Sequence, residues 1–162
     1  MNIEFRPAKL SDLNPIMTIE QAGFTPDEAA TQEAMQARIQ AYPDTFIVAV
    51  VEQHLAGYVV GPAIKARYLA DDLFEQAVAN PLEAPYQAVL SLAVAVNMRK
   101  HGVGAALLQQ LATVATAQKR QAITLTCLAR LVPFYEANGY VNEGESESTH
   151  AGEVWYNLVK PL

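Results

Sequence analysis

One cysteine, Cys127, occurs in the 162 residues. A lone cysteine excludes an internal disulfide framework and fits a reducing compartment, so a cytoplasmic protein is expected. Basic residues are also scarce: 11 lysines and arginines stand against 17 acids, a formal charge of −6. That balance argues against a nucleic-acid partner, which needs a basic face. It is compatible with a cationic amine as ligand. No apolar stretch is long enough to cross a bilayer, and no membrane partner is expected. Glu4 and Arg6 fall inside a strand-like alternation, which reads as a first strand rather than a signal peptide. No two of His54, His101 and His150 are spaced like metal ligands, and no metal is expected. Repeats, linkers and low-complexity segments are missing as well. Residues 1–162 therefore read as one domain, large enough for a good core.

What is present has the order of an α/β (α+β) chain. Ile3 to Pro7 alternates as a strand. Ser11 or Asp12 can cap a helix over about residues 12 to 23, and Thr25-Pro26-Asp27-Glu28 starts a second that runs to about Ala41. Residues 45 to 51 and 55 to 61 read as strands joined by a turn at Gln53-His54. Residues 62 to 85 are the least regular part, with a helix expected from Asp71 to Ala79 and prolines at 81 and 85. The apolar run Val89 to Val96 is a core strand, and a long helix follows to about Gln118. Ala122 to Leu128 is the fifth strand, before a short helix around Tyr135 and two closing strands with a turn at Thr149 to Gly152. A mixed sheet with helices on both faces follows.

Between that core strand and the long helix lies Arg99-Lys100-His101-Gly102-Val103-Gly104-Ala105. A strand, a glycine-rich turn and a helix start point several backbone N–H groups at one spot beside the positive end of a helix dipole, which suits a phosphate or pyrophosphate. Gly102 and Gly104 leave no side chain in the way of an approaching anion, and Arg99 and Lys100 add positive charge at the rim. A P-loop would need Gly-Lys-Ser/Thr at the end of the turn, where this chain has Gly104-Ala105-Ala106. A dinucleotide fingerprint would need a third glycine at Leu107. The pattern present is Arg-x-x-Gly-x-Gly. About thirty residues on stands Leu131-Val132-Pro133-Phe134-Tyr135-Glu136-Ala137-Asn138-Gly139-Tyr140. Pro133 suits a first helical turn, and Asn138-Gly139 a helix stop.

The pair of motifs resembles the GNAT N-acetyltransferase superfamily: the first its acetyl-CoA pyrophosphate loop, the second its strand, Phe-Tyr helix and Gly-Tyr element. The wording Leu131 to Tyr135 looks most like the arylalkylamine (serotonin) N-acetyltransferase branch. The resemblance implies a GNAT fold, a mixed and mostly antiparallel seven-stranded sheet with helices on both faces. It implies acetyl-CoA as cosubstrate, held by the loop residues Arg99, Lys100, His101, Gly102, Val103, Gly104 and Ala105. Backbone groups of Leu92, Ala93 and Val94 would hold the pantetheine arm where the sheet splays, and Thr126 on the facing strand would line the same cleft. Tyr135 becomes the general acid for the departing thiolate, because a phenol with a reference pKa of about 10 stays protonated at neutral pH.

The base is open. In the vertebrate serotonin enzymes two histidines precede the Leu-Ala-Val strand, and the matching positions here are Ala88 and Leu90. Glu20 and Glu28 are candidates because the first two helices normally wall the acceptor pocket; both also read as solvated helix residues. Water-mediated removal, or an amine arriving neutral, is equally open. His101 reads as a loop residue that donates its backbone N–H and keeps its ring in solvent, His54 as a turn residue, His150 as part of the last turn, Cys127 as a strand hydrophobe, Trp155 as packing on the closing strand and Asp71-Asp72 as a helix start. The expected activity is acetyl transfer from acetyl-CoA to a primary amine of a small molecule, by direct attack in a ternary complex. A CoA-binding sensor without turnover, or a protein or peptide N-acetyltransferase, are the alternatives. A monomer or a homodimer is expected.

Overall fold

Two sheets meet at one strand crossing in the computed structural model, which describes residues 1–162. The first has the order β1 (Glu4–Pro7), β2 (Phe46–Val51), β3 (His54–Val60), β6 (Ser91–Val94), antiparallel throughout. The second runs β4 (Ala63–Ile64), β5 (Tyr86–Val89), β7 (Ala122–Leu128), β9 (Trp155–Pro161), β8 (Val141–Glu145). Only β5 and β7 are parallel to each other.

The expected seven strands are thus nine: the short β4 falls in the segment 62–85 that was read as irregular, and the core strand is two strands. The apolar run read as a single strand breaks at Leu90. Upstream, β5 pairs with β7; downstream, β6 pairs with β3. The break is held by the chain opposite: Leu90 N–H donates to Val60 O at 2.7 Å and Ala88 N–H to Pro62 O at 2.8 Å. Gly61 makes this approach possible, since a Cβ there would lie 1.9 Å from the carbonyl oxygen of Ala88. Beyond the crossing, β6 and β7 belong to different sheets and part from each other. This is the splay that the resemblance implied.

Four helices cover the sheets. α1 (Leu13–Gly23) and α2 (Gln32–Ala41) bury Ile16, Ile19, Met35 and Ile39 with Phe46 and Tyr58 of the first sheet. α3 (Val103–Ala117) buries Leu107, Leu108 and Leu111 on the opposite side against Ile123, Leu125 and Leu158. Each such side chain is worth roughly 1.5–3 kcal/mol when fully buried. α4 (Val132–Ala137) is short and begins with Pro133 in its first turn.

Four local features depart from expectation. The second helix begins at Gln32, not at residue 26, because Glu28 Oε1 accepts from Thr25 N at 2.9 Å and closes a turn of its own. The cap falls instead to Thr31, whose side chain accepts from Ala34 N at 3.1 Å. The helix expected over 71–79 is a single 3-10 turn, Asp71–Phe74. At its end the Phe74 carbonyl accepts from Arg38 Nη2 at 3.0 Å, and further on Arg120 donates to the carbonyls of Pro81, Leu82 and Ala84 at 2.8–3.0 Å. Asp12 does not cap α1 with its side chain. Its carboxylate accepts from Arg6 at 2.7 and 2.9 Å and from Lys9 N at 2.8 Å. The hairpin after β2 turns at Glu52 and Gln53, both left-handed, one residue earlier than expected.

Candidate active site

The turn into α3 has two left-handed residues, Lys100 (φ 66°) and Gly102 (φ 79°). Gly102 occupies the N-cap, and no atom lies within 4 Å of where its Cβ would be. None of the backbone N–H groups from Lys100 to Ala105 donates to a chain carbonyl; Ala106 N–H, donating to Gly102 O, makes the first bond of the helix. These groups are the orphan donors of a helix start, gathered at its positive end. Arg99 does not stand free at the rim: Nε lies 3.4 Å from Val94 O and Nη2 3.4 Å from Ala22 O. It ties the loop to β6 and to the end of α1. Gly104 corrects the reading that its lack of a side chain serves the anion. A Cβ there would meet Phe134 Cζ at 3.3 Å and Val94 Cγ2 at 3.7 Å. It permits close packing of α3 on α4 and β6, and so fixes the loop against the helix that carries Tyr135.

Where β6 and β7 part, a cavity of about 490 Å³ opens. Leu90, Ser91 and Leu92 line it from one sheet, Leu125, Thr126 and Cys127 from the other. Of the residues expected at the site, Leu92, Thr126, Tyr135, Glu20 and Glu28 reach this cavity. The loop 99–105, Ala93 and Val94 do not line it; the loop packs at Gly104 on Val94 and on Phe134, the chain neighbour of Tyr135. β6 is the edge strand of its sheet, so its outer backbone groups face the gap unpaired by any strand.

Tyr135 is 7% exposed, its ring edge-on to Phe134 (5.1 Å between centroids) and to Tyr140 (5.5 Å). Burial, with the neighbouring Cys127 thiol, pushes its pKa well above the ordinary phenol value, and no hydrogen bond opposes the shift. Burial likewise pushes the Cys127 thiol up to about 12, which leaves it protonated and inert.

The other end of the cavity is built from side chains that meet across long sequence distances. Glu20 is buried, and its carboxylate accepts from the Tyr58 hydroxyl, from Ser91 Oγ at 2.7 Å and from Ala30 N at 2.8 Å. Desolvation, reinforced by Glu20, holds the Tyr58 phenol well above its usual range. Glu28 lines the same cavity but is half-exposed and committed to Thr25 N. Arg38 is 3% exposed and donates from Nη2 to Phe74 O at 3.0 Å. Phe74, His150 and Trp155 form a row of rings, with centroids 6.1 and 5.9 Å apart, and all three line the cavity. Trp155 and His150, read from sequence as packing and turn residues, are therefore cavity wall; Trp155 Nε1 donates to His150 O at 2.9 Å.

Tyr58, Ser91, Arg38 and Phe74 were not legible as site residues. For Arg38 a signal existed. Met35, Arg38, Ile39 and Tyr42 recur at helical spacing, so the arginine shares the buried face of α2. For Tyr58 and Ser91 there was none, since each reads as an ordinary strand residue. Ala88 is fully buried and Leu90 lines the cavity with an aliphatic chain, so no proton acceptor stands at either position.

Residues 15–161 match the family model of the acetyltransferase (GNAT) domain. The chain belongs to the GNAT acetyltransferase family, and is an acyltransferase that uses acetyl-CoA. Among solved structures it is similar to Ard1 from Thermoplasma volcanium, with a TM-score of 0.81 and 19% identity over 100% of this chain and 99% of that one. It is similar to the loading GNATL domain of CurA from Lyngbya majuscula, at 0.84 and 12% over 99% and 98%. It is also similar to Arabidopsis thaliana Naa50 in complex with the bisubstrate analogue CoA-Ac-MVNAL, at 0.76 and 14% over 100% of both chains. These TM-scores show the shared fold. A search of curated proteins finds no match.

Proposed function

We propose that this chain acetylates a primary amine of a small molecule, the amine attacking the thioester directly in a ternary complex. One observation carries the reading: a cavity of about 490 Å³ whose walls hold an unpaired strand edge, the buried Tyr135 phenol and the Glu20–Ser91 pair. Its size is that of a small-ligand site. The row Phe74, His150 and Trp155 lines the same cavity.

Acetyl-CoA supplies the activated acetyl group. The residues present fit it: open space at Gly102, the free N–H groups of Lys100 to Ala105 for a pyrophosphate, and the β6 edge at Leu92, Ala93 and Val94 for an arm that pairs as an added strand. Lys100 and His101 add donors at the rim, Val103 starts the helix, and Thr126 faces the arm from β7. Such positioning contributes several kcal/mol to lowering the barrier, within the roughly 7–11 kcal/mol available to proximity. Tyr135 holds a proton at its hydroxyl, suited to the departing sulfur because burial keeps the phenol neutral. On the acceptor side Glu20 is the better placed carboxylate. Ser91 Oγ lines the cavity and donates to Glu20, a two-step path for the ammonium proton; Glu28 is held by its own turn. The narrower likeness to the arylalkylamine branch does not enter this reading, because it rests on a few residues around Tyr135 and Ala88 and Leu90 offer no base.

The test is release of free thiol from acetyl-CoA over a panel of small amines and of peptides with free N-termini. Small amines are expected to give the higher kcat/KM by at least about tenfold. The reverse order overturns the assignment.

A further inference from the structure

Arg38 presents a buried positive charge that no carboxylate in the chain pairs with. The two ion pairs of the chain, Arg6–Asp12 and Arg67–Glu143, do not include it. It is 3% exposed, lines the cavity, and makes one hydrogen bond, from Nη2 to Phe74 O at 3.0 Å. A guanidinium has five N–H donors and does not give up its proton. A buried charge without a partner is costly and is normally paired. Burial depresses its pKa, and Glu20 is the one carboxylate whose field opposes this. Yet Glu20 forms no ion pair with it; its oxygens accept from Tyr58, Ser91 and Ala30 N.

We propose that Arg38 takes the carboxylate of the acceptor, so that the amine acetylated here belongs to an amino acid or a similarly small amino carboxylate. This deepens the small-amine reading and rests on it. The planar fork of the guanidinium matches a carboxylate with two parallel N–H···O bonds. The carbonyl that holds Arg38 belongs to Phe74, whose ring begins the row that continues through His150 and Trp155. The carboxylate site and an aromatic wall are therefore contiguous, and an apolar amino-acid side chain would lie on that wall. A simple alkylamine lacks the anion, and a peptide N-terminus has an amide in its place.

The experiment compares each of a set of amino acids with its amide and with the amine lacking the carboxyl group, in the thiol-release assay. Binding to the CoA complex is followed in parallel by thermal melting. Free acids are expected to exceed their amides at least tenfold in kcat/KM, and to raise the melting temperature where the amides do not. In Arg38→Met, and to a lesser extent in Arg38→Lys, the acid-to-amide ratio is expected to fall toward one, with acetyl-CoA titration reporting that the variant is folded. Amides or bare amines used as well as the acids overturn this inference and leave the transferase reading standing. So does a ratio unchanged in folded Arg38→Met, or a panel in which no acid is turned over or bound. Failure of the native chain to bind acetyl-CoA overturns both.

Discussion

The two ends of the cavity are built in different ways. The coenzyme end consists of backbone: orphan N–H groups at the start of α3 and the free edge of β6. The acceptor end consists of side chains: Glu20 on Ser91 and Tyr58, Arg38 on Phe74, and three rings drawn from residues 74, 150 and 155. A backbone cradle is written locally, since a turn and a helix start need only the right few residues in a row. A side-chain pocket is written globally, since each contact waits on the register of several elements. The first can stay fixed while the second changes acceptor.

Tyr135 sits where the two ends meet, and its removal is the hardest test of their independence. Tyr135→Phe is expected to lower kcat by about 10² while the Kd for acetyl-CoA stays within about twofold. Because burial raises the phenol pKa, the native enzyme should lose no activity from phenol ionisation near pH 10. An unchanged kcat in Tyr135→Phe would remove the general acid from the scheme. A parallel rise in Kd would show that the two ends are coupled through α4.

The same division explains what could be read before the structure. Arg99 to Ala105 and Val132 to Tyr140 were legible because glycine, proline and asparagine act on their own neighbours. The break at Leu90 was not legible, because Val89 to Val96 is uniformly apolar and the switch of sheets depends on Gly61 meeting Ala88 from another strand. The 71–79 helix was not legible as a single turn, because the Phe74 carbonyl where it ends accepts from Arg38, more than thirty residues upstream. Glu20 was named as a candidate base on its place in the first helix, but its partners Tyr58 and Ser91 come from two strands and carry no motif.

Within the acceptor end, the two glutamates should separate. Glu20→Gln is expected to lower kcat at least tenfold, and Glu28→Gln to stay within about twofold. Glu20→Ala should also cost on the order of 2–4 kcal/mol in denaturant unfolding, since it leaves the Tyr58 hydroxyl, Ser91 Oγ and Ala30 N–H without their acceptor. Equal effects of the two Gln variants would break the distinction between a site carboxylate and a turn carboxylate.

At the coenzyme end, Gly102→Val tests the cradle alone. The left-handed φ of 79° makes any β-branched residue strained by about 1–2 kcal/mol, and its side chain would enter the open space before the N–H groups. A rise of about tenfold in the KM for acetyl-CoA is expected, with the order of acceptor preference unchanged. Gly104→Val is the contrast: its side chain meets Phe134, so loss of melting temperature should accompany the loss of affinity. Normal coenzyme binding by Gly102→Val would move the pyrophosphate site elsewhere.

The smallest effect lies outside the cavity, at the surface, where Arg67 and Tyr68 reach Glu143 of β8 at 2.6–2.8 Å. The Arg67 guanidinium, with the Tyr68 hydroxyl, holds the Glu143 carboxyl down at about 2, against 4.5 for an unperturbed glutamate. A folded-state value below the unfolded one means stability present above pH 4.5 and lost as pH falls from there toward 2. Arg67 lies at the surface, so solvent screens the pair and its weight is small. Glu143→Gln should therefore melt about one or two degrees below the native chain at neutral pH, the gap closing in acid and shrinking in high salt. A gap that grows on acidification would reverse the sign of the linkage. A gap of many degrees would mean that this contact, and not the packing of Ile64 and Leu69 on Ala88, holds this segment to the second sheet.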